Sequence, residues 1–221
     1  MNDITEPLRL AVGSHSAGSG KGCAMNLISW ENGDTTITDL PGCSDPMLAR
    51  IVQRINDSIC THRDGDLLCP ACSLIVLELA HRTVGTGTLT LTDQERRVIW
   101  VKIAIDQARQ VQHLVPARHK TQADNALTAA ENWAQNPSDR TATATAAAYA
   151  AAYAATAAAY AYADAAYAAD AVGAVRETGA RLSLTYRAFD LFEELTQHVQ
   201  PVISDHQVAE AYACMTTATH H

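Results

Sequence analysis

A chain of 221 residues is long enough for one domain with a sizeable core, or for a small domain carrying a helical extension, and the distribution of its apolar residues favours the second. The hydrophobic fraction of 48% overstates the core, because much of it is alanine; the bulky aliphatics gather between Met47 and Val115 and again between Leu182 and Ile203. The formal net charge is −8, and from Asp139 onward Arg140, Arg176, Arg181 and Arg187 stand against nine carboxylates, which argues against binding nucleic-acid backbones or anionic lipid by charge alone.

The first residues, MNDITEPLRLAVGS, lack a basic stretch followed by an apolar one of secretory length, so a cytoplasmic location is expected. In that compartment the six cysteines, at 23, 43, 60, 69, 72 and 214, are read as thiols or metal ligands rather than disulfides. Leu8 to Val12 reads as a short extended lead-in. The following GSHSAGSGKG resembles a phosphate-binding loop only superficially: with Gly20-Lys21 as its GK pair, His15 stands where the opening glycine belongs and Gly22 where a hydroxyl should meet magnesium.

Cys23 to Trp30 is predicted as a helix of about two turns, stopped by Asn32-Gly33. Asp45 is a good N-cap with Pro46 at the first helical position, and Met47, Leu48, Ile51, Val52, Ile55 and Ile59 recur at helical spacing. Asp66 to Thr83 is apolar nearly all round and is expected as the central buried helix. Thr92-Asp93-Gln94-Glu95 is a capping box opening a helix to about Val115. That helix carries Arg96, Arg97, Lys102 and Arg109 among Asp93, Glu95 and Asp106, which is the pattern of a solvated face rather than a nucleic-acid surface. Ala117 to Gln135 is a further helix with a small-residue face and Trp133. Asn136 to Asp139 is a turn.

Thr141 to Val172 is a run of Ala, Tyr and Thr, predicted as one helix of roughly 50 Å at about 1.5 Å per residue and as the second arm of a hairpin. Tyr153, Tyr160 and Tyr167 recur every seven residues, with Tyr149 on the same seam. The seam is expected to face a partner protein, or a second copy of the chain. A membrane span is argued against by the absence of Leu, Ile, Phe and Val and of a flanking basic cluster. Gly173 and Gly179 are read as interruptions. Leu182 to His198 follows as a helix with a bulky face, ended by Pro201, and Asp205 is read as the cap of a last short helix.

The chemistry-bearing residues are concentrated in the first 81 positions: His15, Cys23, Cys43, Cys60, His62, Cys69, Cys72 and His81. Zinc takes four thiolate or imidazole ligands at about 2.0 to 2.3 Å, and C-P-A-C at 69 to 72 has a spacing that lets two thiolates reach one ion. Cys60 and His62 would complete one site; His15, Cys23 and Cys43 would make another near the first loop. The alternative, inert or redox-active thiols, remains open, since cysteine on an apolar helix also behaves as a small hydrophobe. A nucleophilic use of Cys23, activated at a helix N-terminus with His15 or His62 as base, is a further reading.

The segments Gly13-Ser14-His15, Gly22-Cys23-Ala24-Met25, Asp39-Leu40-Pro41-Gly42-Cys43 with Pro46, and Asn56-Asp57 resemble an uncharacterised family common in actinobacteria and actinobacteriophages, whose members read GSH, GxCxME, SDHPxC, PV and ND in that order. Leu79 to Thr88 and Asp190 to Leu195 look like further parts of it, as does the Ala-rich run. The resemblance implies no established activity. Asn26 stands where many members have Glu and Leu40 where they have His, so a site using those groups would be altered here.

The reading is therefore an all-α protein: a compact helical domain over 1–116, an Ala-rich hairpin over 117–179, and C-terminal helices over 180–221 that return to the core. The expected role is a non-enzymatic interaction or accessory protein of an actinobacterium or its phage, with zinc as the cofactor to test. The competing role is a Cys/His- or metal-dependent hydrolase using the N-terminal cluster.

Overall fold

The computed structural model describes residues 8–13, 15, 19–115, 117–137, 172–204 and 206–210. The Ala/Tyr run, the tyrosine seam, the cap read at Asp205 and Cys214 lie outside the described residues. Among these residues the fold is all-α: the longer elements are α1 (Ala24–Glu31), α2 (Pro46–Ser58), α3 (Pro70–His81), α4 (Asp93–Val111), α5 (Ala117–Gln135) and α6 (Val172–Thr196). Extended pairing is confined to the isolated bridges Ala11 with Leu67, Asp64 with Leu67 and Ser44 with Val84. No described helix is long and apolar enough to cross a membrane.

The chain divides into two compact units, the first taking the described residues up to Leu89 together with those from His198 on, the second Thr90–Gln197. Helix α4 thus falls in the same unit as α5 and α6.

In the first unit α1, α2 and α3 pack on one another. Helix α2 starts where expected because the Asp45 side chain accepts the Met47 backbone N–H at 2.9 Å and Pro46 needs no partner for a missing donor. Its Leu48, Ala49, Val52 and Ile55 are buried, whereas Met47 is 43% exposed and takes no part in the core. Helix α3 is shorter than the apolar run suggests. Residues 66 to 68 do not join it, because Val12 N–H donates to Asp66 O and Leu68 N–H to Leu10 O, which hold that stretch extended against the lead-in segment. Nor is α3 buried all round: Val76, Leu77, Leu79 and Ala80 face the core, and Leu74 is 61% exposed.

A polar knot ties the loop before α2 to the turn after α3. Ser44 Oγ lies 2.7 Å from Thr83 Oγ1, Asp45 N–H donates to Thr86 Oγ1 at 2.7 Å, and Gly87 N–H donates to Cys43 O at 2.9 Å. All of Ser44, Asp45, Thr83 and Thr86 are buried, so each bond offsets a desolvation cost that an apolar pair would not incur. A Cβ on Gly87 would press on the Gly42 carbonyl oxygen and lie 2.7 Å from Ser44 N, which leaves no room for a side chain where the two loops cross.

In the second unit α4 packs against both α5 and α6. The capping box at its start is present, with Thr92 N–H donating to Glu95 Oε2 at 2.8 Å and Glu95 N–H to Thr92 Oγ1 at 3.2 Å. Val101 meets Ala130 and Trp133, Ala108 meets Leu127, and Val115 meets Ala123, so partners descend along α5 as they ascend along α4 and the pair is an antiparallel hairpin. On the other side Trp100 lies 5.6 Å, centroid to centroid, from Phe192 of α6, and Arg187 pairs with Asp106 at 3.1 Å. Helix α6 runs through Gly173 and Gly179 without a break, contrary to their reading as interruptions. It ends at Gln197, whose φ of 54° is the left-handed conformation that closes many helices.

Gly87→Ala is expected to destabilise the protein by about 2 to 3 kcal/mol through this backbone crowding, measured by urea unfolding. Gly42→Ala, whose added Cβ would meet nothing within 4 Å, is the matched control and should change stability by less than about 0.5 kcal/mol.

Candidate metal centre

After α2 the chain runs through Ile59 and Cys60, both buried, and then turns out into solvent over Thr61 to Gly65. The reversal is a two-residue hairpin: Asp64 N–H donates to Leu67 O and Leu67 N–H to Asp64 O, each at 3.0 Å, with Gly65 at φ 61°. Glycine adopts that backbone region at no steric cost. The returning arm then passes beside Cys60, and Cys69 N–H donates to Cys60 Sγ at 3.3 Å. Cys69 is the N-cap of α3, Pro70 occupies its first position, and one turn brings Cys72 back to the same end.

The Sγ atoms of Cys60, Cys69 and Cys72 consequently all lie within 4.8 Å of one another. This is the group of metal-ligating side chains that converges among the described residues. Three thiolates on one tetrahedral zinc, each at about 2.3 Å, would sit about 3.8 Å apart, so small side-chain rotations close the arrangement on an ion. Cys60 is buried and the other two are half-buried, which leaves one side of the group open to solvent.

The surroundings distinguish Cys69 from Cys72. The backbone N–H of Cys72 at the start of α3, and after it the Cys72 thiol, hold Cys69 below the ordinary thiol value. Desolvation, together with the neighbouring Cys69 and Cys60 sulfurs, pushes Cys72 up to about 12. Of this pair Cys69 is the thiol that ionises more readily. A bound cation would reverse that preference, since a coordinating thiol is deprotonated outright.

The scaffold beneath the group is polar and specific. Ser73 Oγ donates to Cys69 O at 3.1 Å and accepts Leu10 N–H at 3.0 Å, so one buried hydroxyl ties the first turn of α3 to the lead-in segment. Arg9 Nε donates to Leu68 O at 3.1 Å, and Lys21 Nζ meets Asp66 Oδ2 at 2.6 Å across the same hairpin. Lys21 holds the Asp66 carboxyl below its usual range. Ser73 does not stand out in the sequence by residue type, whereas Asp64-Gly65 is a dipeptide that favours a tight turn.

The remaining residues read as candidates are placed elsewhere. His62 is exposed, with Nδ1 3.3 Å from Thr61 Oγ1, and does not join the three sulfurs. His15 sits with Nε2 3.0 Å from Val12 O. Cys43 is buried next to Ser44 Oγ at 3.7 Å, and burial raises its thiol. His81 Nε2 lies 2.9 Å from the Glu31 carboxylate, a largely buried contact that ties α3 to α1. His15, Cys23 and Cys43 therefore do not form a second ligand group. A cavity of about 760 Å³ in the first unit, lined among others by Trp30, Glu31, Cys43, Val84 and Val202, includes only Cys43 of those three.

Cys23 does precede α1, but the expected activation does not follow. Its thiol is buried and its Sγ lies 3.6 Å from Asp39 Oδ1; burial, reinforced by the carboxylate, pushes it up to about 12. The Asn26 side chain makes two bonds here: its Oδ1 accepts Cys23 N–H at 3.1 Å and its Nδ2 donates to Asp39 Oδ1 at 2.8 Å. A carboxylate there would face Asp39 with no proton to offer.

At neutral pH the thiolate fraction of a group with a pKa near 12 is roughly 1000-fold below that of a free cysteine. Cys23 is accordingly expected to react with iodoacetamide at least about 100-fold more slowly than free cysteine in the folded protein, and at the ordinary rate in urea, followed by peptide mass mapping. Because the rate rises as pH approaches the thiol pKa, its inflection should lie far above that of free cysteine; a folded-state rate equal to the free one would restore Cys23 as a nucleophile. Comparison with protein-family models, with curated proteins and with solved structures finds no match.

Proposed function

We propose that the chain is a non-enzymatic interaction or accessory protein, of an actinobacterium or its phage as the motif resemblance implies, whose first unit is clamped by one zinc ion on Cys60, Cys69 and Cys72. The observation that carries the metal reading is the convergence of three sulfurs within 4.8 Å at the junction of α2, the 64–67 hairpin and α3. Soft thiolates select zinc over the hard cations magnesium and calcium. Such an ion would cross-link the end of one core helix to the start of another through a nine-residue step in sequence, which is how structural zinc contributes to folding free energy.

The fourth ligand on this reading is His62. It lies two residues beyond Cys60 on the solvent-exposed side of the loop, and its contact with Thr61 is a single exposed one that rotation of the ring would release. The interaction role rests on sequence: the acidic stretch from Asp139 onward and the Tyr149, Tyr153, Tyr160 and Tyr167 seam suit a protein partner or a second copy of the chain. The thiol hydrolase reading is weakened by the elevated Cys23 thiol.

Untagged protein is expected to bind about one zinc per chain by elemental analysis, and Cys60→Ser or Cys69→Ser to lower the content at least tenfold, with His62→Ala giving an intermediate loss. With free zinc about 100-fold above its dissociation constant, loading should stabilise the protein by about 2.7 kcal/mol, read as a denaturation midpoint that a chelator lowers. Zinc content unaffected by the cysteine substitutions would overturn the assignment.

A further inference from the structure

We infer that the same three-cysteine clamp is oxidant-sensitive: a hydroperoxide converts Cys69 and Cys72 to a disulfide and so removes two of the three sulfurs that hold the ion. The inference rests on the metal reading above and names its regulation. It is carried by the unequal placement of the three sulfurs. Cys60 is buried at 5% exposure behind the hairpin, whereas Cys69 and Cys72 are half-buried at the open side, so a small polar oxidant reaches those two first.

Local geometry favours that pair as the product. Cys69 and Cys72 are three residues apart across the first turn of α3, with the backbone between them set by Pro70. Their Sγ atoms already lie within 4.8 Å, and a disulfide needs about 2.05 Å, a gap that rotation about the two χ1 bonds can close. Cys23 and Cys43, buried elsewhere in the first unit, share no such group.

The chemistry balances with one hydroperoxide per disulfide. One thiolate of the pair, drawn as Cys69, attacks the peroxide oxygen; the O–O bond breaks, the sulfur keeps OH as a sulfenic acid, and hydroxide (or alkoxide) leaves. The Cys72 thiolate then attacks the Cys69 sulfur, the S–S bond forms, and the S–O bond breaks with release of a second hydroxide. The two sulfurs are each oxidised by one electron and the peroxide is reduced by two. Cys60 is left as the sole thiolate, too few ligands to retain zinc.

The test uses the full chain loaded with zinc and treated with one equivalent of hydrogen peroxide. Released zinc is measured with a chromogenic chelator, and disulfides are located by peptide mass mapping. The expected result is zinc released in a one-to-one ratio with a Cys69–Cys72 disulfide, and recovery of binding when a thiol-free reductant is added. A zinc-loaded chain that keeps its ion, forms a disulfide through Cys60, or stops at a sulfenic acid would overturn the regulation while leaving the metal reading standing. A chain that takes up no zinc at all before peroxide is added would overturn the metal reading, and the regulation with it.

Discussion

The first unit depends on one reversal of the chain. Asp64 and Leu67 exchange both backbone hydrogen bonds around Gly65-Asp66, and this tight return sets the end of α2 beside the start of α3. Had residues 66 to 68 continued as helix, as their apolar character alone would favour, Cys69 would lie along a rod rather than at its cap, and Cys60 would have no neighbour. The lead-in segment enforces the choice by taking the hydrogen bonds of Asp66 and Leu68, and Ser73 locks it from the helix side. Three sulfurs converge as a consequence of those local bonds.

The rest of the unit is assembled in a similar way, by side chains that satisfy backbone groups between elements. Asn56 donates to Ala11 O and accepts Ala24 N–H, Asn26 joins the α1 cap to Asp39, and the Ser44, Thr83 and Thr86 hydroxyls join the loops flanking α2 and α3. Such bonds each contribute only about 1 kcal/mol net, but leaving a buried partner unpaired costs more. The arrangement therefore specifies loop positions more sharply than an apolar core of three short helices would. The second unit adds more apolar packing: its α4 and α5 meet through alanine, valine, leucine and tryptophan, α6 adds Phe189 and Phe192, and the Arg109–Glu131 and Arg187–Asp106 pairs join α4 to α5 and to α6.

Much of this could be read from residues. The cap of α2 at Asp45-Pro46, the capping box at Thr92, the stop at Asn32-Gly33 and the small-residue face of α5 are local signals, and each element lies where those signals put it. Cys60, Cys69 and Cys72 were legible as a candidate ligand set because C-x-x-C is itself local. The errors share a cause in tertiary context. The apolar run at 66 to 68 pairs with a segment more than fifty residues upstream, and the glycines at 173 and 179 are tolerated inside α6. The spacing of His15, Cys23 and Cys43 does not say which face each presents, and they form no convergent group among the described residues. Cys23 precedes a helix, but a helix N-terminus lowers a thiol only when burial and a nearby carboxylate do not outweigh it.

Whether one ion is held by these three sulfurs is tested most directly by X-ray absorption at the zinc edge of the loaded, untagged chain. The prediction is a first shell of three sulfurs at about 2.3 Å and one nitrogen at about 2.0 to 2.1 Å, with a sulfur lost when Cys69 is replaced by serine. A shell of nitrogen and oxygen alone, or one unchanged by that substitution, would contradict it.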